Sequence, residues 1–167
     1  MDFFETIEKR YSVRGYTDES VSKEDLDKIL DAAALAPTGV NFQPFKVYVI
    51  DTDKNADDLK KIYPAEWFLE APIALCVAVS AEKAWTRKSD NKNIADIDGT
   101  IVMDHIVLAA TALGLGTCYI ANFNPDEAKK LIDSDEYQPL LFTPIGHIDA
   151  EPRLQDKKTK EDLVEFI

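Results

Sequence analysis

The chain has 167 residues, 46% of them hydrophobic, and a net charge of −12 at pH 7. That length suits one domain with a substantial core and leaves little room for two. The acidic balance excludes an ordinary nucleic-acid binder, because a phosphate backbone calls for a basic surface that displaces its counterions. Met1 to Arg14 carries Asp2, Glu5 and Glu8 where a targeting peptide needs an apolar stretch, so a cytoplasmic location is expected.

In Arg10-Tyr11-Ser12-Val13-Arg14 alternate side chains project the same way if the segment is extended, which puts two guanidinium groups and a hydroxyl on one side. Planar Arg forks match phosphate oxygens. Two readings stay open, a phosphate clamp and a solvated basic face. Ser22-Lys-Glu-Asp25 is a variant capping box, and Leu26, Ile29, Leu30, Ala33 and Ala34 then recur at helical spacing until Pro37 stops the run. Between this helix and the next element, Ala36 to Pro44 holds Thr38, Asn41 and Gln43 between prolines. The Asn and Gln amides donate and accept at once, as the heteroatom edge of a flavin or nucleobase requires. The alternative is a turn that satisfies its own backbone.

Phe45 to Ile50 and Ile73 to Val79 are short, rich in β-branched and aromatic residues, and read as strands of a central sheet. Lys54 to Ile62 between them has a short helical pattern with Leu59 and Ile62 inward. Arg87 to Asn93 is polar and reads as a surface loop. From Ile94 to Leu113 apolar residues fall on nearly every face of a helix, which predicts burial all round. Asp96, Asp98, Asp104 and His105 interrupt it and make a membrane span costly, so the core of a dimer suits it better. Gly114 and Gly116 follow a helix and precede a predicted strand, Thr117 to Ile120, the reverse of a dinucleotide-binding glycine loop; a glycine C-cap accounts for them. Asn124-Pro125 opens a helix through Ile132, Leu140 to Ile145 is the last strand, and the end of the chain carries Leu163, Val164, Phe166 and Ile167. Such an apolar tail suits docking on a partner subunit. Cys76 and Cys118 lie alone in apolar runs, and His105 and His147 are isolated, so inert buried thiols, structural histidines and no metal site are expected.

Taken together, these segments resemble the FMN-dependent nitroreductase family, in its compact branch, over nearly the whole chain. Arg10, Ser12 and Arg14 meet its opening Arg-x-Ser-x-Arg motif, and Ala36 to Pro44 meets its Ala-Pro-Ser-x-x-Asn-x-Gln-Pro loop, with Thr38 for Ser. Glu70-Ala71-Pro72, Ala84-Trp85, Arg87-Lys88, Asp98-Gly99, Ala112 to Cys118, Pro144-Ile145-Gly146 and Glu151-Pro152-Arg153 follow in the same order. The resemblance implies an α+β fold, a three-layer α-β-α sandwich around a mostly antiparallel mixed sheet. It implies a single FMN-binding domain over residues 1–167, with a tail from about 154 that docks on the partner subunit.

It also implies a homodimer with FMN at the interface, and NADH or NADPH as electron donor to a small electron-poor acceptor such as a nitroaromatic or quinone, in ping-pong turnover. By the same resemblance Arg10, Ser12 and Arg153 hold the FMN phosphate, Arg14 reaches toward the ribityl chain and pyrimidine edge, and Tyr11 and Pro37 are among the cofactor-binding residues. Thr38, Asn41 and Gln43 come from the facing subunit, and a backbone N–H near Ala121 or Asn122 points at flavin N5. Many relatives have glycine or Glu-Gly where this chain has Ala121-Asn122, and larger relatives place Asn and Lys on the flavin from the segment matching Pro64 to Trp67, where this chain has neither. No side-chain nucleophile is implied, since the chemistry is the cofactor's. The same resemblance leaves a related reaction such as dehalogenation, azoline oxidation or flavin destruction, and a flavin-binding sensor or storage protein. An acidic interaction domain without cofactor is the rival outside the family.

Overall fold

The computed structural model describes residues 1–152 and 156–167 of the chain. Its first helix, α1 (Phe3–Lys9), was not expected from sequence; Asp2 caps it by accepting the Glu5 N–H. Ser22 then caps α2 (Lys23–Ala34) by accepting the Asp25 N–H, as the sequence led one to expect, and the strand β1 (Phe45–Asp51) follows the loop. After a short 3-10 turn come α3 (Ala56–Ile62), with Leu59 and Ile62 buried, and the unanticipated α4 (Glu66–Glu70).

Strand β2 (Ile73–Val79) has the predicted limits. The expected loop from Arg87 to Asn93 is instead the turn and much of a small hairpin, β3 (Thr86–Arg87) paired with β4 (Lys92–Asn93), too short for alternation to betray it. Helix α5 (Ala95–Ala112), α6 (Pro125–Ile132), β5 (Gln138–Ile145) and a short α7 (Lys160–Leu163) complete the described elements. Asn124 caps α6 and Pro125 sits in its first turn, as expected.

Strand β2 is the middle of a three-stranded sheet, antiparallel to β1 on one side and β5 on the other. Its side chains alternate between two cores, because successive residues of a strand face opposite ways. Leu75 and Val77 join Ile29 and Ala33 of α2 and Val102, Met103, Ile106 and Val107 of α5. Ala74, Cys76 and Ala78 join Leu59 and Ile62 of α3, Phe68 of α4, Ala128 and Ile132 of α6, and Phe142 of β5. Helices therefore cover both faces, giving the expected three-layer α-β-α sandwich. A parallel bridge between Ser12 and Thr117 adds the mixed character.

Two expectations need correction. Thr117 to Ile120 is no regular strand: Gly116 bridges Gly146, Thr117 bridges Ser12 and Ile120 bridges Phe142. The backbone divides its hydrogen bonds among three partners, so no ladder builds up. Gly116 makes this crossing feasible, because a Cβ there would lie 3.0 Å from side-chain atoms of Val13, Tyr16 and Ile148. Nor is α5 enclosed on every face by its own chain. Asp98, Gly99, Val102, Met103, Ile106, Val107 and Ala110 form its buried face, while Ile97 is 44% exposed and Ile101 and Leu108 are only half-buried. At its end Gly114 takes φ +82°, the left-handed conformation of a glycine cap. Among the described residues no helix is long and apolar enough to cross a membrane.

Candidate functional site

The segment from Arg10 to Arg14 is extended, as its spacing suggested. Ser12 pairs with Thr117, and the Val13 N–H donates to the Thr117 carbonyl at 2.9 Å. Val13 is buried against Tyr16 and Ala71, and the Tyr11 hydroxyl donates to the Ala150 carbonyl at 3.0 Å, tying the segment to the chain just before Arg153. With the backbone fixed in this way, Arg10, Ser12 and Arg14 line a cleft of about 670 Å³ whose other wall is Thr111, Gly114, Leu115 and Thr117. A second hollow of about 330 Å³, between Ser12, Arg14 and Ala150 to Pro152, touches the same residues. The larger cleft has the volume expected of a cofactor site.

Several cations of this acidic chain have an acidic partner three or four residues away, such as Lys9 with Glu5, Lys28 with Glu24, Lys61 with Asp58 and Arg87 with Asp90. Although Glu8 and Asp156 line the same cleft and Glu151 the smaller hollow, among the described residues neither Arg10 nor Arg14 forms a salt bridge. Their convergence shows at Cys118, whose thiol burial pushes up while Arg14, a hydrogen bond with Ser12, and Arg10 pull it down. Cys76, with burial alone, is pushed up to about 12. Both thiols are free and buried, as expected. Two guanidinium groups and a hydroxyl at the mouth of a cleft fit an anionic phosphate ester.

The loop holding Thr38, Asn41 and Gln43 lies elsewhere. Thr38 accepts the Gln43 N–H with its hydroxyl at 3.0 Å and the Asn41 N–H with its carbonyl at 3.0 Å. Val40, Asn41 and Gln43 all have positive φ, near +50°, a conformation that costs non-glycine residues energy unless the surroundings impose it. The constraint comes from Asp98, a 1% exposed carboxylate whose Oδ1 accepts the Gly39 N–H at 2.8 Å. The loop thus presents the exposed Pro37, Asn41 and Gln43, with Val40 and Phe42 beside them.

Asp98 opens α5 and Thr111 closes it, so the loop and the clamp are separated by about 20 Å along the helix axis. One chain does not bring them together. Ala121 and Asn122 are exposed and border neither cavity. Arg153 lies outside the described residues. Sequence reasoning missed Asp98, Thr111 and Lys157 as residues that build or line these sites. The signal for Asp98 and Thr111 was available as polar residues on the apolar face of a helix; Lys157 is one of several lysines in a charged tail and carries none. Among the described residues there is no cluster able to hold a metal ion, and His105 binds the Ile101 carbonyl at 2.9 Å in a structural role.

Comparison with known proteins adds a second line. A family model described as "Nitroreductase family" matches residues 7–67 and 60–147. A solved nitroreductase family protein from Clostridium difficile superposes with a TM-score of 0.91 at 35% identity, covering 99% of this chain and 98% of that one. An FMN-dependent nitroreductase from the same species gives a TM-score of 0.81 at 27% identity, covering 96% of each chain. The FMN reductase (NAD(P)H) of Bacillus subtilis is 28% identical over 153 residues, which are 81% of this chain and 61% of that protein.

Proposed function

The chain belongs to the nitroreductase family, and we infer from that membership that it is an FMN-dependent NAD(P)H oxidoreductase. The observation that carries this for the chain itself is the cleft of about 670 Å³ lined by Arg10, Ser12 and Arg14, with neither arginine held in a salt bridge among the described residues. Arg10, Tyr11, Ser12 and Arg153 would hold the phosphate end of FMN. Arg14 would favour the negative charge that builds up on the ring during reduction, as a fixed cation beside developing charge does. Bound FMN would supply the redox chemistry, with NAD(P)H and then a nitroaromatic, quinone or similar electron-poor molecule taking turns at one face in ping-pong order.

The second half of the site would come from another copy. Pro37, Thr38, Asn41 and Gln43 face outward at the far end of α5, Phe3, Phe4 and Ile7 of α1 are exposed on a helix packed against α5, and Leu163, Val164, Phe166 and Ile167 are exposed in the tail. Apolar surface of this extent is characteristic of an interface. The proposal is therefore a homodimer of one-domain subunits, each tail from about 154 to 167 docked on its partner, each FMN held by one subunit's clamp and the other's loop, and the Ala121-Asn122 backbone at the ring. Two free thiols accord with a cytoplasmic setting.

A visible spectrum of the purified protein, followed by anaerobic titration with NADH and NADPH, tests the reading. A flavin spectrum that bleaches with either donor and returns on adding a quinone or nitroaromatic is expected. A flavin spectrum that never bleaches would point to the sensor or storage alternative, and a colourless protein that takes up no FMN would overturn the proposal.

A further inference from the structure

Arg14 is held in place by an aromatic ring. Its guanidinium carbon lies 5.8 Å from the centroid of the Trp67 ring, within the range of a cation–π contact. Trp67 belongs to α4 and is itself fixed edge-to-face, 5.7 Å from Tyr63 and 6.4 Å from Phe68, while packing against the small core of Val13, Tyr16 and Ala71. Glu70, one turn along the same short helix, accepts the Tyr16 N–H. Arg14 borders both hollows of the clamp, so one part of its surface meets the ring and the rest the cleft.

A carboxylate in the same place would orient Arg14 and also cancel its charge. A ring orients it through its quadrupole and leaves the full charge for the ligand. We propose that Trp67 is a positioning residue of the flavin site, holding the Arg14 guanidinium toward the cleft by a cation–π contact and so setting FMN affinity and the ease of flavin reduction. The inference rests on the FMN reading above. It assigns a use to a segment that has neither of the polar flavin contacts expected of larger relatives.

The test replaces Trp67 in the full chain by fully ring-fluorinated tryptophan, which keeps the shape of the indole and removes the negative face of the ring. FMN binding, followed by flavin fluorescence, is expected to weaken about threefold, and the midpoint potential of the bound flavin to become more negative. In the Arg14→Gln background the same replacement is expected to change neither. Trp67→Leu, which also removes packing, is expected to weaken FMN binding further in the wild-type background, with Trp67→Phe restoring most of it. Equal effects of fluorination in both backgrounds, or none in either, would overturn the inference while leaving the FMN reading intact. A wild-type protein that takes up no FMN would overturn both.

Discussion

The two ends of α5 solve opposite problems. At the C-terminal end the chain folds into a concavity where, among the described residues, Arg10 and Arg14 form no salt bridge, so its asset is charge. At the N-terminal end the loop is convex, and Asp98 holds Gly39 while Val40, Asn41 and Gln43 take left-handed backbone, so its asset is a fixed and costly shape. The loop borders neither hollow at the other end, and about 20 Å of helix keeps the two apart. Electrostatics prepares one half and conformational constraint the other.

The difference can be broken first at the clamp. Replacing Arg10 and Arg14 together by alanine is expected to weaken FMN binding by about two orders of magnitude or more, since each charge-assisted contact contributes about 1.5–3 kcal/mol; flavin retained through gel filtration measures it. Arg14→Ala alone is expected to weaken retention less and also to slow reduction by NAD(P)H, which stopped-flow absorbance reads. At the other end the expected loss is one of order. Asp98→Ala leaves the Gly39 N–H without its acceptor and is expected to cost about 2 kcal/mol in chemical unfolding, with a smaller effect on flavin retention than the arginine pair.

Gly114→Ala returns to the clamp but acts through shape: nothing lies within 4 Å of the added Cβ, so only its φ of +82° matters, and a loss of about 1 kcal/mol is expected by thermal unfolding. The smallest expected effect is at Cys118. Burial raises its thiol above the ordinary range, and the positive charges of Arg14 and Arg10 oppose that rise by favouring the thiolate. Removing both arginines favours the neutral thiol, so iodoacetamide labelling of Cys118, located by peptide mass mapping, is expected to move to higher pH.

The sequence was most legible where a local signal coincided with a local cause. Ser22 and Asn124-Pro125 marked helix starts because capping is decided within a few residues. Ile73–Val79 was marked as a strand by its β-branched run, and its burial on both faces follows from its central place. The alternation of Arg10, Ser12 and Arg14 survived because an extended backbone is all it needs. What escaped was settled at a distance. Thr117 to Ile120 has a strand-like composition, but its bridge partners are scattered over Ser12 and Phe142, with the preceding Gly116 on Gly146. Asp98 looked like an interruption in an apolar helix until the loop it anchors, 59 residues away, was in view. Trp67 beside Arg14 has no sequence signature at all, because the contact joins an exposed side chain of the N-terminal segment to a helix of five residues far along the chain.

Whether the two ends of α5 meet across two copies is decided by complementation. One variant lacks the clamp, with Arg10 and Arg14 replaced by alanine, and the other lacks the loop amides, with Asn41 and Gln43 replaced by alanine. Each alone is expected to retain little FMN. Unfolded together and refolded as a mixture, they should regain about a quarter of the wild-type flavin sites, because half the dimers are mixed and each mixed dimer of two-fold symmetry restores one of its two sites. A mixture that binds no more FMN than the separate variants would contradict a flavin shared between subunits.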